Sequence, residues 1–287
     1  MSLRQVLALA EQHALLSPVK RGDLQYVVAA GQGWSRSDLL VRLDLPAENG
    51  MQVVAERAAR QLADGYPAEY LTGHAAFCDV VVRVREGVLV PRPETEHLVE
   101  MAKGFILGRG RNSAVALDLC SGSGAIALAL ASRLPQVAVT GLELDPASVS
   151  CSRESALDAG LSGRVRFVQG NVLASWGLAL GEFRGRADVI VSNPPYVREE
   201  RLLSAHMSSP VEPVRALYGG TSGMVFYKRI IAQASDWLRP GGLLLLEIDD
   251  GLEQGILKLI ERHGLQGGRW LPDLRGLPRY AEAHRAE

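Results

Sequence analysis

Ala114-Val115-Ala116-Leu117-Asp118-Leu119 runs directly into Cys120-Ser121-Gly122-Ser123-Gly124, and then into Ala125-Ile126-Ala127-Leu128. The first six residues form an apolar run that predicts a buried strand. The two glycines let the backbone turn tightly and let a ligand come close to it. Ala125 to Arg133 predicts a helix. Strand, glycine turn and helix in succession open a doubly wound α/β domain, in which ligands bind at the carboxyl ends of the strands. A Gly-x-Gly this short is by itself a weak signal, also compatible with a tight turn that holds nothing or with dinucleotide binding.

Working outward, the alternation continues. Val137 to Leu144 predicts a second strand and Pro146 to Ala159 a helix. Val165 to Val168 and Asp188 to Ser192 predict two further strands. Gly223 to Leu238 predicts a helix, and Gly242 to Ile248 a strongly apolar strand. This is the pattern of an α/β domain with a mostly parallel sheet.

Upstream the character differs. Leu3, Val6, Leu7, Ala10, Ala14 and Leu15 recur at helical spacing, with breaks at Pro18, Gly31-Gln32-Gly33, Pro46 and Asn49-Gly50. About four helices are expected before Thr72, and their 7 basic and 8 acidic residues form no basic stripe. From Phe77 the valine-rich runs Val80–Val84 and Val88–Val90 predict a β-hairpin turning at Glu86-Gly87. Pro91 and Pro93 then lead into a helix through about Gly104. The expected organisation is a helical bundle over 1–74, a hairpin linker over 75–91 and the α/β domain over 92–287.

Composition narrows the function. The chain has 287 residues, 31 basic and 32 acidic, so its net charge of −1 argues against a dedicated polyanion binder. Only 6% of residues are aromatic, too few for an extended base-stacking platform. Three cysteines, Cys78, Cys120 and Cys151, do not read as a disulfide framework. His13, His74, His97, His206 and His263 are scattered outside any metal-ligand spacing, so no metal is expected. No uncharged run long enough to cross a membrane and no signal-peptide pattern is visible, which points to the cytoplasm.

Two further features carry chemistry. Glu143 ends the second strand, 21 residues after Gly122. An acid at this spacing accepts hydrogen bonds from a ribose hydroxyl pair, so the ligand is a nucleoside-bearing cofactor, NAD-like or S-adenosylmethionine. Asp145-Pro146 reads as a helix cap. The strand ending at Ser192 runs into Asn193-Pro194-Pro195-Tyr196. The prolines remove donors and stiffen the loop. Asn193 supplies a side-chain oxygen, so two rigid acceptors can grip both hydrogens of a planar amino group. Tyr196 offers a face against which a flat amide or base can lie.

Asn193-Pro194-Pro195-Tyr196 after a strand resembles the catalytic motif of S-adenosylmethionine-dependent amino-group methyltransferases, which act on adenine, guanine or glutamine. Other segments narrow the resemblance. These are Pro67-Ala68-Glu69-Tyr70-Leu71-Thr72-Gly73, Phe77, and Val88-Leu89-Val90-Pro91-Arg92-Pro93-Glu94-Thr95-Glu96. Glu212-Pro213, Ala216-Leu217, Gly219-Gly220, Phe226-Tyr227-Lys228 and Asp273-Leu274-Arg275-Gly276 to Arg279 also belong. Together they are similar to the HemK/PrmC family, which methylates a glutamine in class 1 peptide-chain release factors.

The resemblance implies a Rossmann-like methyltransferase fold and S-adenosylmethionine as cofactor. It implies that Cys120, Ser121, Gly122, Ser123, Gly124 and Glu143 hold the cofactor's methionine part and ribose, with Asn171 and Val172 along the adenine and Asn193 beside them. It implies that Asn193 and the Pro194 backbone accept hydrogen bonds from the target amide. Pro195 and Tyr196 complete the substrate site, and the N-terminal domain docks the release factor. A monomer acting without nucleic acid or membrane is expected.

The chain departs from the family pattern at Cys120, Asn171, Val172, Ser222 and Asp249. Cys120 reads as a small packing residue, since no adjacent His or Lys is evident to activate a thiol. A nucleic-acid amino methyltransferase is the main alternative. The near-zero net charge, the absence of a basic recognition segment and the Pro91–Glu96 signature stand against it. A binding protein that lost catalysis and a NAD-dependent oxidoreductase are the others, and neither uses the tetrapeptide.

Overall fold

The computed structural model describes residues 1–13, 19–202 and 211–287. Ala14, Leu15, Pro18 and His206 lie outside the described residues. The described chain forms two compact units. One comprises Met1–His74 with Val84–Glu86 and Val211, and the other holds the rest.

The first unit contains α1 (Leu3–His13), α2 (Arg21–Gly31), α3 (Arg36–Val41), α4 (Met51–Ala63) and α5 (Ala68–Thr72). This is one helix more than the periodicity suggested, because the short α5 begins right after Pro67. Leu3, Val6, Leu7 and Ala10 are buried together with Leu24, Val28, Leu39, Met51 and Ala55, so the helical spacing does mark the core face. Ser35 caps α3 in a reciprocal box with Asp38.

The hairpin differs from its expected place. Its strands are β1 (His74–Phe77) and β2 (Val80–Arg83), and it turns at Cys78-Asp79 with Cys78 at φ 52°. Val88 and Val90 are buried but lie outside any strand. The Val90 amide donates 3.1 Å to the Glu212 carboxylate instead of to a strand partner. A single 3₁₀ turn, Pro93–Thr95, then precedes α6 (Glu96–Gly108), which runs one turn further than expected.

The sheet is built from β3 (Ala114–Leu119), β4 (Val137–Glu143), β5 (Val165–Gln169), β6 (Ala187–Ser192) and β7 (Leu238–Glu247). It ends in β8 (Gln266–Pro272) and β9 (Pro278–His284). The order across it is β5-β4-β3-β6-β7-β9-β8. The first five strands are parallel, while β9 is antiparallel to both β7 and β8. The doubly wound, mostly parallel reading therefore holds, with an antiparallel edge that the sequence reading did not anticipate.

α7 (Ala125–Arg133) follows β3 and α8 (Pro146–Asp158) follows β4. Every α7 residue from Ala125 to Ala131 is buried, as its unbroken apolar sequence requires. Asp145 caps α8, accepting 2.9 Å from the Ser148 amide. A further core joins Leu117, Leu119, Ile190, Tyr227, Ile231, Trp237, Leu244 and Leu246. The order reverses at β3, which lies between β4 and β6. At that point an open α/β sheet forms its ligand crevice.

Candidate active site

Sheet register sets the site. Leu119 lies opposite Leu142 on one side and Ser192 on the other. Cys120, Glu143 and Asn193 are the next residues on their strands, so all three emerge at one level of the sheet. The parts of sequence that looked chemical are brought together by hydrogen-bond ladders over a buried, rigid frame.

A cavity opens there, at the carboxyl ends of the strands where open α/β sheets bind their ligands. Cys120, Gly122, Glu143, Asn171, Val172, Asn193 and Pro195 all line it. Leu89, Leu142 and Phe226 add apolar wall, and Asp145 and Arg215 add polar wall. Arg215 pairs with Asp145 at 2.7 Å.

Glu143 is fastened at both oxygens. Oε2 accepts 2.8 Å from the Gly122 amide and Oε1 accepts 2.8 Å from the Asp145 amide. Burial pushes the Glu143 carboxyl up, and these amide donors oppose the rise. Each oxygen keeps a further lone pair, so the carboxylate can receive a diol. Gly122 sits at φ 53°, with open space where a Cβ would stand. A ligand can therefore approach its backbone. With Asp145 paired to Arg215, Glu143 also gives the cavity a negative character that suits a cationic sulfonium. The residues present thus fit S-adenosylmethionine, with an acceptor-rich acid and the apolar Val172 both lining the cavity.

Asn171 is exposed at the rim, and its Oδ1 accepts 2.9 Å from the Leu173 amide. That turn directs one acceptor lone pair into the backbone and leaves the Asn171 amino group as a donor toward a ligand ring. Cys120 stands at φ 59°, in the left-handed region. Burial raises its thiol well above the ordinary range, with Glu143 and Asp118 adding to the rise. It is no activated nucleophile, in keeping with the packing role read from sequence.

Ser121, Ser123 and Gly124 do not line the cavity. Ser123 is buried. Gly124 is held by packing, because a Cβ there would lie 2.5 Å from the Phe167 ring. Pro194 is buried and Tyr196 half-buried, and neither lines the cavity. The Tyr196 hydroxyl instead donates 3.3 Å to Glu247 Oε1. Burial first, and then the Glu247 charge, push the phenol upward.

Asn193 stands between these two regions. Its Nδ2 donates 3.0 Å to Thr95 Oγ1. Thr95 Oγ1 in turn donates 2.7 Å to Glu247 Oε2. Sequence reasoning gave Thr95 and Glu247 no role. A signal for Glu247 is its place between the apolar run Leu243–Leu246 and Ile248, where a charged side chain that is buried needs partners.

The tetrapeptide loop is braced from behind. The Val197 amide donates 2.8 Å to Leu217 O, and the Gly219 amide donates 2.9 Å to Val197 O. At Gly219 a Cβ would lie 2.7 Å from Tyr196 Cα. The segment carrying these glycines is anchored at Glu212, a buried carboxylate paired with Arg92. Among the described residues no cluster of His, Cys, Asp and Glu could hold a metal, and no helix is long and apolar enough to cross a membrane.

A sheet of this order, with a glycine turn, an acid ending the next strand and a cavity between them, is the arrangement of the S-adenosylmethionine-dependent methyltransferases. The sequence matches the family described as Methyltransferase small domain over residues 104–209. A methyltransferase from Pyrococcus furiosus shares the fold, at 22% identity and a TM-score of 0.51, over 72% of this chain and 89% of that one. The release factor glutamine methyltransferase of Moorella thermoacetica is 37% identical over 100% of both chains. That of Mycolicibacterium smegmatis is 36% identical over 92% of this chain and 90% of its own. The chain belongs to the release factor glutamine methyltransferase family.

Proposed function

We propose that this protein transfers a methyl group from S-adenosylmethionine to the side-chain amide nitrogen of the glutamine in the Gly-Gly-Gln motif of class 1 release factors. The observation that carries the reading is Asn193, a neutral amide at the end of β6 that borders the cofactor cavity and sits on a rigid Pro-Pro turn.

An amide nitrogen is a poor nucleophile, because its lone pair is delocalised into the carbonyl. Bound S-adenosylmethionine supplies a methyl group already activated on a sulfonium sulfur. The protein's work is therefore positioning and electrostatics. Asn193 Oδ1 and the Pro194 carbonyl accept the two N–H bonds of the target amide and fix its plane. As the N–CH3 bond forms and the S–CH3 bond breaks, these two fixed acceptors stabilise the positive charge growing on the nitrogen without having to reorganise, and one N–H proton is then lost to water as S-adenosylhomocysteine leaves. Asn193 stays neutral, so it acts at any pH at which the protein is folded. Glu143 and the Gly122 backbone hold the cofactor, and Tyr196 backs the target amide. The helical unit over 1–74, which carries none of these groups, offers a surface for docking the release factor.

The test incubates the full chain with radiolabelled S-adenosylmethionine and unmethylated release factor, and maps the label by peptide mass spectrometry. Label on the side chain of the Gly-Gly-Gln glutamine supports the reading. Label elsewhere on the factor, or none, rejects it.

A further inference from the structure

The hydrogen bonds around Asn193 have a direction, and that direction is set outside the cofactor cavity. Glu247 is buried at the end of β7; burial raises its carboxyl, while the Thr95 and Tyr196 hydrogen bonds and the Arg279 charge favour the carboxylate, which only accepts. Thr95 has one hydroxyl hydrogen, which goes to Glu247 Oε2 at 2.7 Å. Toward Asn193, Thr95 then presents lone pairs only. The Asn193 amide must meet it with Nδ2, as it does at 3.0 Å. Its Oδ1 is thereby turned to the opposite side and left available as an acceptor.

Thr95 itself has little freedom. It is 4% exposed and closes the 3₁₀ turn Pro93–Thr95, where its amide donates 3.0 Å to Arg92 O. The Tyr280 hydroxyl pins the same turn by donating 2.7 Å to Glu94 O. Glu247 is held in turn by Tyr196, and the Tyr227 hydroxyl donates 2.9 Å to its main-chain oxygen.

We propose that Thr95 and Glu247 are positioning residues that lock the Asn193 side chain with its oxygen, not its amino group, facing the substrate amide. This rests on the assignment of Asn193 as the acceptor for that amide. A carboxamide free to turn over would present its amino group to the substrate part of the time. Two amino groups face to face repel, and the nitrogen of the substrate loses its alignment. The relay removes that alternative before substrate arrives, and neither Thr95 nor Glu247 lines the cofactor cavity.

Thr95→Val keeps the shape and removes the relay, while Thr95→Ser restores the hydroxyl. In the full chain with unmethylated release factor, Thr95→Val should lower kcat roughly 10- to 100-fold. S-adenosylmethionine affinity should stay unchanged and KM for the factor change little. Thr95→Ser should recover most of the rate. Thr95→Val combined with Asn193→Ala should be no slower than Asn193→Ala alone, because the relay acts only through Asn193. Where the valine variant fails to fold, Thr95→Ala reads the same relay. A threonine variant at wild-type kcat, no recovery with serine, or a double variant slower by the product of both losses would overturn the proposal. If Asn193→Ala itself transfers methyl at the wild-type rate, it is the assignment of Asn193 that fails.

Discussion

The Gly122 amide donates 2.8 Å to Glu143 Oε2, tying the turn after β3 to the acid that ends β4. Two motifs that look independent in the sequence are thus one object. Each fixes the other, so the carboxylate is oriented before a ligand arrives. Replacing Glu143 with Gln puts an amino group where one of two amide donors now finds an acceptor. S-adenosylmethionine affinity should fall roughly 10- to 100-fold, which isothermal titration measures directly. Unchanged affinity would remove Glu143 from the cofactor site.

Gly219 presses on the Asn193–Tyr196 loop from outside the cavity. A Cβ there would lie 2.7 Å from Tyr196 Cα and 2.8 Å from Pro195 O, both backbone atoms that cannot rotate away. Gly219→Ala should therefore displace the Asn193 loop. A kcat lowered by roughly 10- to 100-fold, with cofactor affinity nearly intact, is the expected outcome in steady-state assays with saturating cofactor.

Gly124→Ala should act on stability instead. The residue sits at φ 82°, and a Cβ would fall 2.5 Å from Phe167 Cζ and 2.8 Å from Ser152 Cβ. Overpacking together with left-handed backbone strain should cost about 2–4 kcal/mol. A lower urea midpoint at unchanged slope is the signature to look for.

Asp118 makes stability depend on pH. It is fully buried beneath the glycine turn, with one oxygen accepting 3.2 Å from the Ala127 amide. Burial pushes its carboxyl from 3.8 up to about 8. Between those values the folded chain binds a proton that the unfolded chain has released. Stability from this group is complete below the lower value and is lost as pH rises through the upper one. The slope is about 1.4 kcal/mol per pH unit. Asp118→Asn should flatten the fall in thermal midpoint between about pH 5 and about pH 8. An undiminished fall in that variant would assign the dependence to another group.

The α/β half was legible where apolar runs and turn residues coincide. β3 and α7 fall where Ala114–Leu119 and Ala125–Arg133 were read. The β8–β9 edge was not legible, because β8 is exposed along nearly all of its length and shows no alternation. The hairpin was misplaced because Val88 and Val90 look like strand residues, yet the partner of Val90 is Glu212, which lies 122 positions away. At the site, Cys120, Gly122, Glu143, Asn171, Val172 and Asn193 share one cavity, as spacing and resemblance implied. Gly124 belongs to the same glycine turn but packs against Phe167 and Ser152 outside the cavity lining. Thr95 is legible only as part of the Pro91–Glu96 signature, because its contact with Glu247 exists only through space, across 152 positions of chain.

Under the proposed function, Asn193 serves the methyl-transfer step and not the binding of cofactor. The direct measurement is the single-turnover rate of methyl transfer to unmethylated release factor by Asn193→Ala, beside its S-adenosylmethionine affinity. The rate should fall roughly 10²- to 10³-fold while affinity stays near that of the unaltered protein. A rate and an affinity that decline together, or a rate that does not decline, would contradict it.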